Sequence, residues 1–259
     1  MSDDKIVCLI PCYNGSKTIE RVVETIPDYV SKIIIVNDGS KDNTFEVLKR
    51  IKDKRVKIIE HEKNKGYGAS HKTLFNAALK TDGEYFVTIH ADLAHDPREI
   101  KGMVEMMKKG NYDFVTGTRI VGLWKKHKIF GSRTLGAIFK GEMPAHIYIA
   151  NRVVTGIQNI LMGTRVVSFH DAYRIFSRKS LEKIPFNDFL DRYFFDTELL
   201  VKASELRMRF SDSPASTHYT DEAGSHVNYV GYALTLLRMA LKYRLTGKLY
   251  DSWHNDRRR

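Results

Sequence analysis

Three apolar runs of strand length, each stopping on polar or acidic residues, constrain this chain more than any other feature. The first, Lys5, Ile6, Val7, Cys8, Leu9 and Ile10, closes on Pro11, Cys12, Tyr13 and Asn14. The second, Lys32, Ile33, Ile34, Ile35 and Val36, closes on Asn37, Asp38, Gly39 and Ser40. The third, Tyr85, Phe86, Val87, Thr88 and Ile89, closes on His90, Ala91 and Asp92. Ile19, Val22, Val23 and Ile26 follow the first run at the spacing of one helix face. Asp42, Asn43 and Thr44 offer caps for a helix after the second. Strands expected near residues 5–10, 32–37, 56–60, 85–90 and 113–117 alternate with helices near 16–26, 43–52, 69–80 and 97–109. This rhythm predicts an α/β fold with a mostly parallel central sheet flanked by helices. Open α/β sheets bind ligands at the carboxyl ends of their strands, so one edge should receive Asn14, Asp38 and Asp92.

A hard divalent cation holding a diphosphate needs oxygen ligands, and one or two carboxylates suffice. Asp92 suits that role, and its plainer reading is a cap for the helix after Pro97. Gly66, Tyr67 and Gly68 form a turn into the third helix, serving either chain reversal or close approach of the backbone to a ligand.

Beyond residue 117 the pattern changes. Residues 120–143 are rich in Gly, Lys and bulky apolar residues without periodicity, as in a long functional or mobile loop. Ile147, Ala150, Val153, Val154, Ile157, Ile160 and Leu161 mark a long amphipathic helix. Residues 173–176 read as a strand and 197–206 as a helix, with Asp196 at its N-terminal edge. A polar loop at 220–226 precedes a C-terminal amphipathic helix. Nothing resembles a linker, so residues 1–259 read as a single domain.

With 42% hydrophobic and 28% charged residues the chain can bury a sizeable core. Cys8 and Cys12 are too few and too close for a disulfide framework, which points to a reducing compartment, with Cys8 in the core. No signal peptide is recognisable at the start. The late apolar stretch at 227–243 is interrupted by Asn228, Arg238 and Lys242 and falls short of the roughly 20 apolar residues of a spanning helix. The net charge of +11 suits phosphorylated substrates or an anionic membrane surface. No stripe of bases and aromatics or known docking motif supports nucleic acid. The basic excess gathers in Lys125, Lys126, Lys128, Arg133 and Lys140, and in Arg238, Lys242, Arg244, Lys248, Arg257, Arg258 and Arg259; a merely solvated surface is the alternative for both.

The ordered set of Pro11, Cys12, Tyr13 and Asn14, then Asn37, Asp38, Gly39 and Ser40, then Asn64, Lys65, Gly66, Tyr67, Gly68 and Ala69, then His90, Ala91 and Asp92, resembles the family two glycosyltransferases. Gly117, Thr118 and Arg119, then Asn151 and Arg152, then residues 170–178 carry a closer resemblance to the branch of dolichyl-phosphate mannose and glucose synthases. The resemblance covers about residues 4–245. It implies the Rossmann-related GT-A fold and an inverting, metal-dependent transfer of a sugar from a nucleotide-diphosphate sugar. Residues 4–117 would form the nucleotide-sugar half, 118–226 the acceptor half, and 227–259 a C-terminal helix and basic tail. Pro11, Tyr13, Asn14, Asp38, Gly66, Gly68, Ala91 and Asp92 would line the donor pocket. Asp92 would ligate Mg²⁺ or Mn²⁺, and Arg119 and Arg152 would hold phosphate oxygens, which a planar guanidinium binds in pairs.

Several positions depart from the family pattern. His90 stands where an acid is common, and either ligates a softer ion such as Mn²⁺ or only hydrogen-bonds behind it. Asn37 replaces an acid, and Ala94 stands where the branch often has Gln. Residues 220–225 are acidic where a basic residue is expected, with His218 and His226 flanking them.

The acceptor stays open at this point. A polyprenyl phosphate attacks with an oxygen that is already anionic, whereas a glycan hydroxyl needs a carboxylate base. Phe195, Asp196, Thr197, Glu198 and Leu199 resemble the segment carrying that base, so Asp196 is either a base or a helix cap. Asp171 is likewise ambiguous. A third reading, a binder of nucleotide sugars without activity, is opposed by the presence of Asp38, Asp92, Arg119 and Arg152 together. Val230, Leu234, Leu237 and Leu241 share one face of the C-terminal helix near Arg238, Lys242 and Arg244, and Trp124, Ile129 and Phe130 lie among bases. Both patterns suit the cytoplasmic face of an anionic membrane, and packing on the domain or on a second subunit is the alternative for the helix.

Overall fold

The computed structural model describes residues 4–118, 145–169, 171, 173–215 and 229–247. Arg119, the Trp124 to Phe130 segment with its bases, Arg133, Lys140, His218, the loop at 220–226 and the basic tail lie outside the described residues, as does the side chain of Val230.

The strands are β1 (Ile6–Cys12), β2 (Val30–Asn37), β3 (Val56–Glu60), β4 (Tyr85–Thr88), β5 (Phe114–Thr118), β6 (Arg174–Ser177) and β7 (Phe210–Pro214). The helices are α1 (Ile19–Thr25), α2 (Thr44–Arg50), α3 (Tyr67–Leu79), α4 (Ile100–Gly110), α5 (Ala145–Met162), α6 (Arg178–Lys183), α7 (Phe195–Glu205) and α8 (Tyr229–Thr246). The strands form one seven-stranded sheet in the order β3-β2-β1-β4-β6-β5-β7, with β6 antiparallel to both of its neighbours and the other pairs parallel.

Alternation along the strands assigns the two faces. Val7, Leu9, Ile34 and Val36 turn to one core with Leu74, Phe75 and Ala78 of α3, Leu181 of α6, and Phe195, Leu199 and Leu200 of α7. Ile6, Cys8, Ile10, Ile33 and Ile35 turn to the other with Val22 and Val23 of α1, Leu48 of α2, and Met103, Val104 and Met107 of α4. Both cysteines are buried and free, and burial pushes each thiol up to about 12, so they pack as apolar groups.

Pairing brings three strand ends abreast. Asn37 lies opposite Cys12, the Asp38 amide donates to the Cys12 carbonyl at 2.8 Å, and the Ile89 amide donates to Leu9 at 3.1 Å. Among the described residues no helix is long and apolar enough to cross a membrane.

Phe75 concentrates the packing on one side of the sheet. Its ring lies 5.6 Å from Phe176, 5.2 Å from Phe186 and 5.9 Å from Phe195. Phe75→Ala is expected to cost about 3–5 kcal/mol, read as a lowered urea midpoint with an unchanged slope.

Candidate functional site

The loops after β1 and β2 hold each other. Asn14 adopts the left-handed backbone, at φ 53°. Its amide donates to Ser40 Oγ at 2.9 Å and its Oδ1 accepts from the Lys41 amide at 2.9 Å. Asp42 accepts from Ser16 Oγ at 2.7 Å through one oxygen and from the Thr44 amide at 3.1 Å through the other. It therefore closes α2 and anchors the approach to α1. Pro11 is half-buried in β1 and Tyr13 is exposed at the rim, its ring open to a flat ligand. Thr18 Oγ1 donates to the Ala91 carbonyl, which fastens the loop after β4 to the start of α1.

Asp38 is only 3% exposed. One of its oxygens lies 2.6 Å from His61 Nδ1 and accepts from the Lys65 amide, and the other accepts from the Gly66 amide, both at 2.9 Å. Asp38 thus fixes the turn that launches α3, and a nucleotide base would have to share Oδ2. Gly66 has φ 102°, and a Cβ there would stand 2.4 Å from the Asp191 carbonyl oxygen; at Gly68 it would stand 2.2 Å from that of Leu190. The close approach these glycines permit is to the chain's own residues 190–191. Lys72 reinforces it with an ion pair to Asp191 at 2.7 Å.

Asp92 is half-buried and does not cap the following helical turn, a task performed by Asp96 through the Arg98 amide. Its Oδ1 accepts from the Ala94 amide at 3.0 Å, and its Oδ2 lies 3.6 Å from His90 Nδ1. Burial opposes the charge on Asp92, but the hydrogen bond and charge of His90 outweigh it and hold the carboxyl near 2. Burial likewise opposes protonation of His90, and the hydrogen bond and charge of Asp92 reverse the balance and raise it. His90 Nε2 is buried without a partner, so Nδ1 is the nitrogen turned to Asp92.

Among the described residues no group of three or more His, Cys, Asp or Glu side chains could hold a metal ion unaided. The His90–Asp92 pair nonetheless fits a cation that a diphosphate and water complete. Two ligands about 2.1 Å from one octahedral ion stand about 3 Å apart, a small adjustment from the observed pair.

Asp196 lies inside the first turn of α7, and the residue at the cap position is Phe194. Its Oδ1 pairs with Arg174 Nη1, and its Oδ2 accepts from the Tyr67 hydroxyl at 2.9 Å. Arg174 is only 2% exposed. The Tyr67 ring stacks on Tyr193 at 5.5 Å and meets the edge of His90 at 6.1 Å. One continuous cluster therefore joins Asp92, His90, Tyr67, Asp196 and Arg174. Sequence reasoning did not single out Tyr67, His71 or Arg174 as site residues; a lone arginine in the apolar run Tyr173, Arg174, Ile175, Phe176 was the signal. Asp171 is buried and accepts from Thr118 Oγ1 at 2.6 Å. Arg152, on α5, donates to the Val167 carbonyl.

A mostly parallel sheet with polar strand ends gathered at one edge defines a GT-A-like fold, and solved structures agree. Glucosyl-3-phosphoglycerate synthase from Mycobacterium tuberculosis, in complex with Mn²⁺, UDP and glucosyl-3-phosphoglycerate, superposes with a TM-score of 0.61 at 19% identity, over 96% of this chain and 82% of that one. The family description Glycosyl transferase family 2 matches residues 7–185, so the chain belongs to that family and is a glycosyltransferase. The UDP-N-acetylglucosamine–dolichyl-phosphate N-acetylglucosaminyltransferase of Methanococcus voltae is 28% identical over 269 aligned positions, covering 97% of this chain and 100% of that protein. Dolichyl-phosphate beta-glucosyltransferase ALG5D of Trichomonas vaginalis is 26% identical, covering 92% and 73% respectively.

Two stability measurements check this cluster. Asp196→Asn leaves the Arg174 charge buried without its counter-ion and is expected to cost about 3–5 kcal/mol of unfolding free energy in urea. His71 is fully buried, and burial lowers it to about 4 although the Asp196 charge and a bond to the Tyr67 carbonyl pull upward. With the native value below the unfolded 6.5, the unfolded chain takes up the proton first as pH falls. Stability from this group is therefore full above pH 6.5, falls between 6.5 and 4, and levels off below, by on the order of 3 kcal/mol. His71→Phe should lack this component when its unfolding is followed across the same pH range.

Proposed function

We propose that this glycosyltransferase moves a sugar, with inversion, from a nucleotide-diphosphate sugar to a polyprenyl phosphate of the dolichyl type. The state of Asp196 carries this reading. A hydroxyl acceptor needs a free carboxylate to take its proton, whereas both oxygens of Asp196 are engaged, one by the buried Arg174 and one by Tyr67. A phosphate acceptor needs no base. The phosphate oxygen attacks the anomeric carbon, the bond from that carbon to the diphosphate oxygen breaks, and the nucleoside diphosphate leaves with the electron pair. The two relatives named above, both dolichyl-phosphate sugar transferases by name, support the same acceptor class.

In this reading Asp92 and His90 would hold Mg²⁺ or Mn²⁺, which would neutralise charge developing on the diphosphate. His90 must release its proton to ligate, so protons compete with the metal there. Pro11, Tyr13, Asn14, Asp38, Gly66, Gly68 and Ala91 form or support the donor pocket, and Arg119 and Arg152 hold phosphate oxygens. A lipid acceptor calls for work at a membrane surface, which this reading takes to be the cytoplasmic face.

Purified protein with Mn²⁺, screened against UDP- and GDP-sugars, should release nucleotide only when a polyprenyl phosphate is added. Release driven by a soluble glycan and indifferent to lipid phosphate would sink the acceptor assignment. Asp92→Asn should lower Mn²⁺-supported nucleotide affinity by roughly tenfold to a hundredfold in calorimetry while the protein stays folded. Equal affinity in both proteins would remove Asp92 from the metal site.

A further inference from the structure

α5 and α8 lie against each other and turn inward with different rows of side chains. Thr155, Gln158 and Met162 of α5 are buried, as are Leu236, Met239 and Ala240 of α8. The outward rows are also apolar. On α5 they are Ile149, Val153, Ile157 and Ile160, with Ile160 78% exposed; on α8 they are Leu234, Leu241 and Leu245, with Leu245 76% exposed. Helix faces in water usually carry mixed charges, but neither helix has a single Asp or Glu. The charges on α8 are Arg238, Lys242 and Arg244, of which both arginines are exposed.

We propose that the outer face of α5 and α8 docks on the surface of an anionic lipid bilayer. Charge decides between this occupant and a second copy of the chain. A face with bases and no acids repels itself, whereas anionic headgroups attract it and the acyl boundary takes the exposed Ile, Val and Leu side chains. Neither helix can cross the bilayer, so the contact is peripheral. The purpose of the surface, presenting the site to a lipid-linked acceptor, depends on the reading above; the docking itself is measured without donor or acceptor.

The test is flotation of the full chain with vesicles of phosphatidylcholine alone and of phosphatidylcholine with phosphatidylserine at about three to one. The protein should float with the mixed vesicles at low salt and much less at high salt. Ile160→Asp with Leu245→Asp, both at exposed positions and checked for an unchanged thermal melt, should weaken binding by roughly tenfold or more. Arg238→Ala with Lys242→Ala and Arg244→Ala should weaken it by roughly a hundredfold at low salt and remove most of the salt dependence. No binding by the wild type at low salt overturns the proposal. So does binding that neither variant alters, or a dimer in light scattering that Ile160→Asp with Leu245→Asp converts to monomer. Vesicle binding without any stimulation of nucleotide release by polyprenyl phosphate would leave the docking surface standing and overturn the acceptor assignment instead.

Discussion

The pairing of Arg174 with Asp196 is the contact on which the site's architecture depends. A guanidinium buried in the middle of a sheet loses its hydration, a cost of several kcal/mol that only a well-placed counter-ion offsets. Because Arg174 sits in β6 and Asp196 in the first turn of α7, satisfying the charge fixes that helix against the sheet. Tyr67 takes the other carboxylate oxygen and so draws in the start of α3. Asp38 fixes the same helix start from the other side through the amides of Lys65 and Gly66. Two carboxylates thus hold α3 between them, which places the Tyr67 ring against His90 beside Asp92.

The reversed strand explains how a cation reaches this position. Parallel strands deliver their ends to the ligand edge, whereas an antiparallel strand delivers its beginning. Arg174 opens β6 and lies opposite Thr88 of β4 and Thr116 of β5. Asp171, three positions ahead of it in the chain, is held at that edge by Thr118 at the end of β5.

Much of this was legible from the amino-acid order. The alternation of apolar runs and amphipathic spacings located β1 to β5, α1 to α4 and the convergence of Asn14, Asp38 and Asp92, because buried parallel strands and core-facing helices leave strong periodic patterns. β7 was not legible. Phe210, Ser211, Asp212, Ser213 and Pro214 form the last strand of the sheet, where one partner suffices and a proline is tolerated. α6 is only six residues long and leaves too few positions for a period. The direction of β6 was hidden as well, since direction depends on the path of the chain and not on local pattern. The roles of Asp38 and Asp196 were half visible. Position put them at the edge, but their oxygens are spoken for by backbone amides, Arg174 and Tyr67, partners that no local motif reveals.

Electrostatics gives the remaining step. The Arg174–Asp196 pair is internally neutral, so it adds little field at the edge. Asp92 is the carboxylate left half-open there, held ionised by His90. A carboxylate facing a diphosphate repels it, and the divalent ion proposed between them would remove that repulsion. To join the proposed ion, His90 would have to be a neutral imidazole. Histidine at the position the family commonly fills with a second acid would then give the proposed site a softer ligand set.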